Sequence, residues 1–304
     1  MKRAVLNPSG GYRFEETETP APGNGEALIR VLACGLCSSD VEAWRSGLGV
    51  DTVMGHEVVG IVEELGAGVS GIAVGERVTG CIMRGYAEYT TARAEHMIVV
   101  PDALSDAEAI VEPFVCLLSG IERAAPKPDS DVAVISAGFM GLGLVRLLKI
   151  AGVRHVTALD LRPQALETAR EMGADETLPA DAAQGRKFDM VFEAAGTQSA
   201  IDLSGELCAP YGVIAIVGYH PCVRQVDMRV WAAKAPVVMN IFEYRRPKQL
   251  EYMRRALKLA VEGRLRNARL MTHSFPLSQL QEAFAFHAAK RDGYIKGWIN
   301  DFQH

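Results

Sequence analysis

From Asp131 the sequence repeats strand, glycine turn and helix, and this alternation restricts the possible folds more than any other feature. DVAVIS is a short apolar run of strand length, and GFMGLGLVRLLKIAG follows with helical character. HVTALD is the next strand and RPQALETAREMGA the next helix. FDMVFEAAG, a helix from Ala200 to Leu207, GVIAIVGY and PVVMNIF continue the pattern. Such alternation predicts an α/β fold with a doubly wound parallel sheet and helices on both faces. From about Leu265 a short strand signal, the amphipathic stretch SQLQEAFAFHAAKR and a final strand, GYIKGWIN, close the chain.

The first turn of this alternation reads Ser136-Ala137-Gly138-Phe139-Met140-Gly141. Set against G-x-G-x-x-G, Ser136 replaces the first glycine, while Gly138 and Gly141 supply the second and third. Gly138 would let the backbone approach a pyrophosphate, and Gly141 would let the helix pack closely on the strand. The free N–H groups at the start of that helix, around Phe139 and Met140, would hold the phosphates. A glycine pattern alone is weak, but here a strand ends before it and a helix opens on it. The second strand ends at Asp160, whose carboxylate can accept ribose hydroxyls and repel a 2′-phosphate, which favours NAD over NADP. Arg162 pulls the other way, because an arginine accommodates a 2′-phosphate. The plainer reading is that Asp160 caps the helix beginning at Pro163.

Ahead of this region the chain is β-rich. EALIRVLACGLC, HEVVGIVEEL and ERVTGCIM are strand-like stretches separated by glycine turns such as GAGVSGIAVG. SDAEAIVEPFVCLLSGIERAA reads as one helix, with Ser105 as its N-cap and acidic residues in its first turn. A length of 304 residues exceeds one ordinary core and fits two domains. The net charge of −5 comes without a basic block or charged tail, so nucleic acid and anionic membrane are excluded as expected partners. No run approaches the length of a membrane-spanning helix, and the N-terminal residues lack the apolar core of a signal peptide. Six cysteines scattered from Cys34 to Cys222 are not a disulfide framework in a chain this long, so a reducing cytoplasm is expected.

VMGHEVVGIV places Gly55, His56 and Glu57 at the mouth of an apolar strand. A histidine and a carboxylate there need partners. Cys37, followed by Ser39 and Asp40, lies in ACGLCSSDVEAW, and Glu112 lies in the apolar run IVEPFVCLL. Thiolate, imidazole and carboxylate drawn from separate segments suit Zn²⁺, whose catalytic sites keep one position open. Each residue alone has a plainer explanation: a buried cysteine in the core, a histidine satisfied by a carbonyl, a glutamate in the first turn of a helix. Cys34 and Cys37 have C-x-x-C spacing, but no second pair accompanies them, which argues against a structural zinc knuckle.

Together GLCSSDVEAW, GHEVVGIVEELGAGV, GERV, GYAEY, VEPFVC, the Gly138/Gly141 turn and FEAAG make the chain resemble the zinc-dependent medium-chain dehydrogenase/reductase family, the relatives of alcohol and sorbitol dehydrogenases. The pieces run in family order over nearly the whole chain, and GHE followed by V-G-x-V is specific. The resemblance implies a GroES-like catalytic domain at 1–115 and 265–304, and a Rossmann domain at 116–264. It implies that Cys37 and His56 bind one catalytic zinc, with Glu57 and Glu112 as the two glutamates near the metal. Ser39 would head the proton relay, and Asp40 would orient the zinc-bound histidine. Ala195, in FEAAG, would join the cofactor-binding residues.

Two departures stand out. Relatives carry a histidine where this chain has Glu42, so the proton would leave through that carboxylate, the cofactor ribose or water. Many relatives also carry a four-cysteine lobe for a structural zinc, and here only Cys81 to Arg84 separate Gly80 from Gly85. The activity implied is hydride transfer between NAD(H) and a secondary alcohol or ketone, with a polyol, sugar or cyclitol ahead of an amino alcohol such as threonine. A zinc-free quinone or enone reductase of the same fold and a non-catalytic NAD(H)-binding protein are the competing readings. A homodimer or homotetramer is expected, built on the strand PVVMNIF. The segment GYHPCVRQVDMRVW resembles a substrate- or cofactor-facing loop without a residue set that assigns its chemistry.

Overall fold

The computed structural model describes residues 1–7, 10–48, 50–291 and 293–302. The chain divides into two units, Met1–Pro113 with Tyr244–His304, and Phe114–Glu243.

The first unit opens with an antiparallel hairpin of β1 (Lys2–Leu6) and β2 (Tyr12–Glu16). Its main sheet uses β3 (Glu26–Gly35), β4 (Glu57–Leu65), β5 (Arg77–Gly80), β6 (Tyr89–Arg93) and β7 (Met97–Val99). Two strands from the C-terminal part complete it, Met271–Pro276 and Lys296–Asp301, the latter antiparallel to β3. Valine and isoleucine on β3 and β4 fill the core, where Ile29, Val31, Val58 and Val62 are fully buried. Phe284 is a hub of that core, with the rings of Tyr12, Trp44 and Tyr86 each edge-on to it. Helix α1 (Ser38–Ser46) leaves the end of β3.

Ser105 caps a helix as read, in a full capping box with Glu108. The helix itself is shorter than the sequence reading. It stops as α2 (Asp106–Ala109), and α3 (Phe114–Ala124) begins after a break. Pro113 causes the break, because it lacks an N–H and pushes the residue before it out of helical geometry. Glu112 therefore sits in the break and not in a helical run.

The second unit is the parallel sheet. Its strands are β8 (Asp131–Ile135), β9 (His155–Asp160), β10 (Glu176–Pro179), β11 (Phe188–Glu193), β12 (Cys208–Ile216) and β13 (Val237–Asn240). The order is β10-β9-β8-β11-β12-β13, every pair parallel. That is the 3-2-1-4-5-6 order of a dinucleotide-binding sheet, which reverses between β8 and β11. Helices α4 (Phe139–Ile150), α5 (Pro163–Met172) and α6 (Gln198–Leu207) follow β8, β9 and β11. A short helix, α7 (Met228–Ala232), precedes β13.

The boundary after the sheet falls at Glu243, well before residue 264, where the sequence reading placed it. Helix α8 (Arg246–Val261) belongs to the first unit, where it contacts β7 and α2. Its buried Leu250, Met253 and Leu257 recur at helical spacing and account for that attachment. The last helix, α9 (Leu280–Ala289), carries Phe284 into the first core.

Candidate active site

Cys37 is the N-cap residue of α1, two residues beyond the end of β3. In the antiparallel pairing of β3 with β4, Gly35 faces Glu57. The end of one strand thus lies beside the start of the next, and His56 stands one residue before β4. Gly55 makes this turn at φ +92°, where a Cβ would lie 2.9 Å from the Cys34 sulfur and 3.0 Å from the Tyr86 nitrogen. Only glycine meets both conditions. The result is that donor atoms of Cys37, His56 and Glu57 all lie within 4.8 Å of one another. Among the described residues this is the one such grouping of three ligating side chains.

The surroundings favour positive charge at this point. Asp40, buried, holds its Oδ1 3.3 Å from His56 Nδ1. Tyr86 donates its hydroxyl to Asp40 Oδ2 at 2.9 Å. Burial works against a charged imidazole, but the hydrogen bonds to Asp40 and Cys37 outweigh it and hold His56 well above the usual histidine range. With Nδ1 turned to Asp40, the opposite ring nitrogen is the one available to a metal. Ser39 donates to the Cys37 sulfur at 3.2 Å.

Glu57 has a partner that the sequence did not reveal. Its Oε1 accepts from Lys296 Nζ at 2.7 Å, and both side chains are buried. Its Oε2 is buried with no hydrogen-bond partner among the described residues. Glu112 is not in the group of three and is half-buried in the break before α3. Burial first, then the nearby carboxylates of Glu57 and Asp40, push its carboxyl up to about 7, against the opposing charges of His56 and Lys296. A sulfur, an imidazole nitrogen and an orphaned buried carboxylate oxygen are a donor set that fits Zn²⁺.

In the second unit the turn after β8 has the close approach that the glycine pattern implies. A Cβ on Gly141 would stand 1.8 Å from the Ser136 carbonyl oxygen, so only glycine lets α4 start there. Ser136 takes the first glycine's place at φ +84°, and its hydroxyl accepts from the Gly138 N–H at 3.3 Å. Phe139 is buried against Phe114, so its side chain is part of the core and only its backbone is offered to a ligand. Met140 is half-buried beside it, and Ala195 is exposed at the carboxyl end of β11. Asp160 does not cap α5, whose N-cap residue is Arg162. It accepts instead from the Ala137 N–H at 2.7 Å and from Arg162 through its N–H at 2.9 Å and Nε at 3.1 Å.

The sequence matches the family description "Alcohol dehydrogenase GroES-like domain" over residues 23–102 and "Zinc-binding dehydrogenase" over residues 140–261. The chain belongs to the zinc-dependent medium-chain dehydrogenase/reductase family. This dehydrogenase is 28% identical over 328 residues to the sorbitol dehydrogenase of Gallus gallus, covering 92% of this chain and 91% of that protein. Its fold resembles an alcohol dehydrogenase from E. coli CFT073 complexed with NADH, at TM-score 0.87 and 24% identity over 99% of both chains. It also resembles a candidate zinc-binding dehydrogenase from Sinorhizobium meliloti 1021 bound to NADP, at TM-score 0.88 and 24% identity over 98% of both chains. The dehydrogenase is an oxidoreductase acting on alcohols. None of its described helices is long and apolar enough to cross a membrane.

Behind Ser38, the residue after Cys37, lies a histidine that no sequence motif marks. His287 Nε2 is 3.1 Å from Ser38 Oγ, and its Nδ1 is 2.8 Å from the Tyr294 hydroxyl. Burial, with Lys290, Lys296 and Arg45 nearby, pushes its pKa down to about 2. The unfolded chain binds a proton there below about pH 6.5, and the folded one does not. His287 therefore contributes stability that is complete above that pH and falls away as pH drops toward the folded value. His287→Gln is expected to lose about 2 kcal/mol less stability than the parent between pH 7.5 and pH 5. Urea unfolding at both pH values measures this, and equal losses in the two proteins would assign the acid sensitivity elsewhere.

Proposed function

We propose that this chain is a zinc-dependent oxidoreductase that moves a hydride between NAD(H) and a secondary alcohol or its ketone, with a polyol, sugar or cyclitol as the substrate class. The carrying observation is the convergence of Cys37, His56 and Glu57, with Asp40 behind His56, in a chain of this family. Cys37 and His56 hold the metal, with Glu57 or Glu112 as the carboxylate. When bound, zinc supplies Lewis-acid stabilisation of negative charge on an oxygen. NAD, held by the turn Ser136–Gly141 and by Asp160, supplies the hydride-accepting ring.

The protein's own part is to place groups and to move a proton. Asp40 and Tyr86 fix the ring of His56. Ser39, which lies against the Cys37 sulfur, takes the proton of the substrate hydroxyl as it passes its own outward. Lys296 pairs with Glu57 and fixes its side chain in the core. Asp160 favours NAD over NADP, because Arg162 is engaged by that carboxylate. One zinc per subunit fits the chain, since Cys81 bonds Gln249 and not another cysteine. Homodimer or homotetramer formation fits the outer strand β13, with Val237 56% and Val238 40% exposed, and six free cysteines fit the cytoplasm.

The test is a panel of polyols, cyclitols and amino alcohols, threonine included, run in parallel with NAD and NADP before and after chelation. Turnover of a polyol or cyclitol with NAD that disappears with the metal is the expected result. Reduction of quinones or enones that survives chelation would replace this reading with the zinc-free reductase.

A further inference from the structure

The loop after β12, from Val217 to Asp227, is tied down by side chains that hydride transfer as described leaves unused. Glu193, the last residue of β11, is fully buried. Its Oε1 accepts from the Ala195 N–H at 2.9 Å and the Gly196 N–H at 2.7 Å. Its carbonyl oxygen accepts from the N–H groups of Val217 and Gly218, both at 2.8 Å. Its Oε2 is 2.9 Å from His220 Nε2. Arg224 then donates from Nε to His220 Nδ1 at 3.0 Å and from Nη2 to the Gly196 carbonyl at 2.6 Å.

This chain of bonds has one polarity. Arg224 is only a donor, so His220 Nδ1 must accept and Nε2 must carry the ring's proton, which it donates to Glu193. The imidazole thus links a buried carboxylate to a guanidinium. It also locks two loops together, Ala194–Thr197 after β11 and Val217–Arg224 after β12. A carboxylate that already accepts from two backbone N–H groups and the His220 ring would not need an arginine reaching back from the far end of the second loop merely to satisfy it. The added contacts fix where the second loop lies.

Both loops are at the carboxyl ends of strands just past the point where the strand order reverses. A dinucleotide lies across the carboxyl ends of such a sheet, one mononucleotide on each half. Asp160, at the end of β9, serves the adenosine half, which leaves β11 and β12 for the other. We propose that Glu193, His220 and Arg224 form a positioning device that holds these two loops as the seat of the nicotinamide half of the cofactor. The inference rests on the NAD(H)-dependent reading above and adds the residues that shape the nicotinamide seat. His220 and Arg224 are positioning residues, because they act through the backbone of the loops.

NADH and ADP-ribose, which lacks the nicotinamide, separate this role from general support of the fold. Both are titrated against the full chain by fluorescence, with His220→Ala, Arg224→Ala and His220→Gln alongside the parent. The alanine variants are expected to bind NADH about tenfold more weakly while ADP-ribose stays within about twofold. Glutamine keeps one donor and one acceptor on neighbouring atoms, so His220→Gln is expected to recover NADH binding to within about threefold of the parent. Equal weakening of both ligands, or no weakening of either, in the variant that folds would overturn the proposal. If the parent binds neither ligand, the NAD(H)-dependent reading itself fails and takes this one with it.

Discussion

Cys37→Ser is expected to lose its bound zinc and about a thousandfold of its turnover, while NADH binding is retained. Serine is a preferred N-cap residue, and Cys37 makes no capping hydrogen bond of its own, so α1 should start at least as well in the variant. What changes is the donor atom. A thiolate is a natural zinc ligand, whereas a serine hydroxyl does not ionise near neutral pH and is seldom one. Lewis-acid charge stabilisation is worth several kcal/mol, and each 1.36 kcal/mol is a factor of about ten in rate. Gly138, Gly141 and Asp160, the proposed cofactor residues, belong to the second unit and are untouched by the substitution. Metal content, steady-state rates and NADH fluorescence on the same preparation report the three quantities. A variant with normal turnover would remove Cys37 from the metal site.

The second large effect belongs to Lys296. Its ammonium and the Glu57 carboxylate are 6% and 1% exposed and 2.7 Å apart. Burial alone would discharge the lysine, but the attraction of Glu57 keeps it charged. Lys296→Met leaves a buried carboxylate without its counter-charge and should destabilise the protein by about 3–5 kcal/mol. Removing both charges in Glu57→Gln/Lys296→Met should recover most of that loss, because the remaining cost of an orphaned charge disappears. Urea unfolding of the parent, both single variants and the double variant closes the cycle. Independent, additive losses would mean that the two groups do not depend on each other.

How much of this was legible in the sequence follows from the range of the interactions. The parallel sheet announced itself because each strand is an apolar run followed within a few residues by its own glycine turn and helix. β10 did not, since ETLP is short, half-buried and free of any apolar run. The sequence hides the membership of helix α8 in the first unit, because the helix directly follows the last strand of the second. Its many lysines and arginines also obscure the buried stripe of Leu250, Met253 and Leu257. The single helix read from Ser105 failed at Pro113, a local breaker that the apolar run concealed.

The candidate site divides in the same way. Cys37, His56 and Glu57 were legible because their segments are distinctive and the ends of two neighbouring strands bring them together. Lys296 pairs with Glu57 across 239 positions of sequence, and His287 reaches Ser38 across 249. Only the packed sheet supplies those pairs. A lysine inside the apolar strand GYIKGWIN was the available signal, since a charge placed there needs a buried partner. His220 lies in a loop whose sequence suggests only that it faces a ligand, and its partners Glu193 and Arg224 come together with it only in the folded sheet.

The central claim is that Cys37, His56 and a nearby glutamate hold one zinc ion. The most direct test is the metal content per chain of purified protein never exposed to chelator, measured by plasma mass spectrometry. About one zinc per chain is the predicted result. Protein that carries no zinc yet reduces carbonyl compounds with NAD(P)H would contradict it.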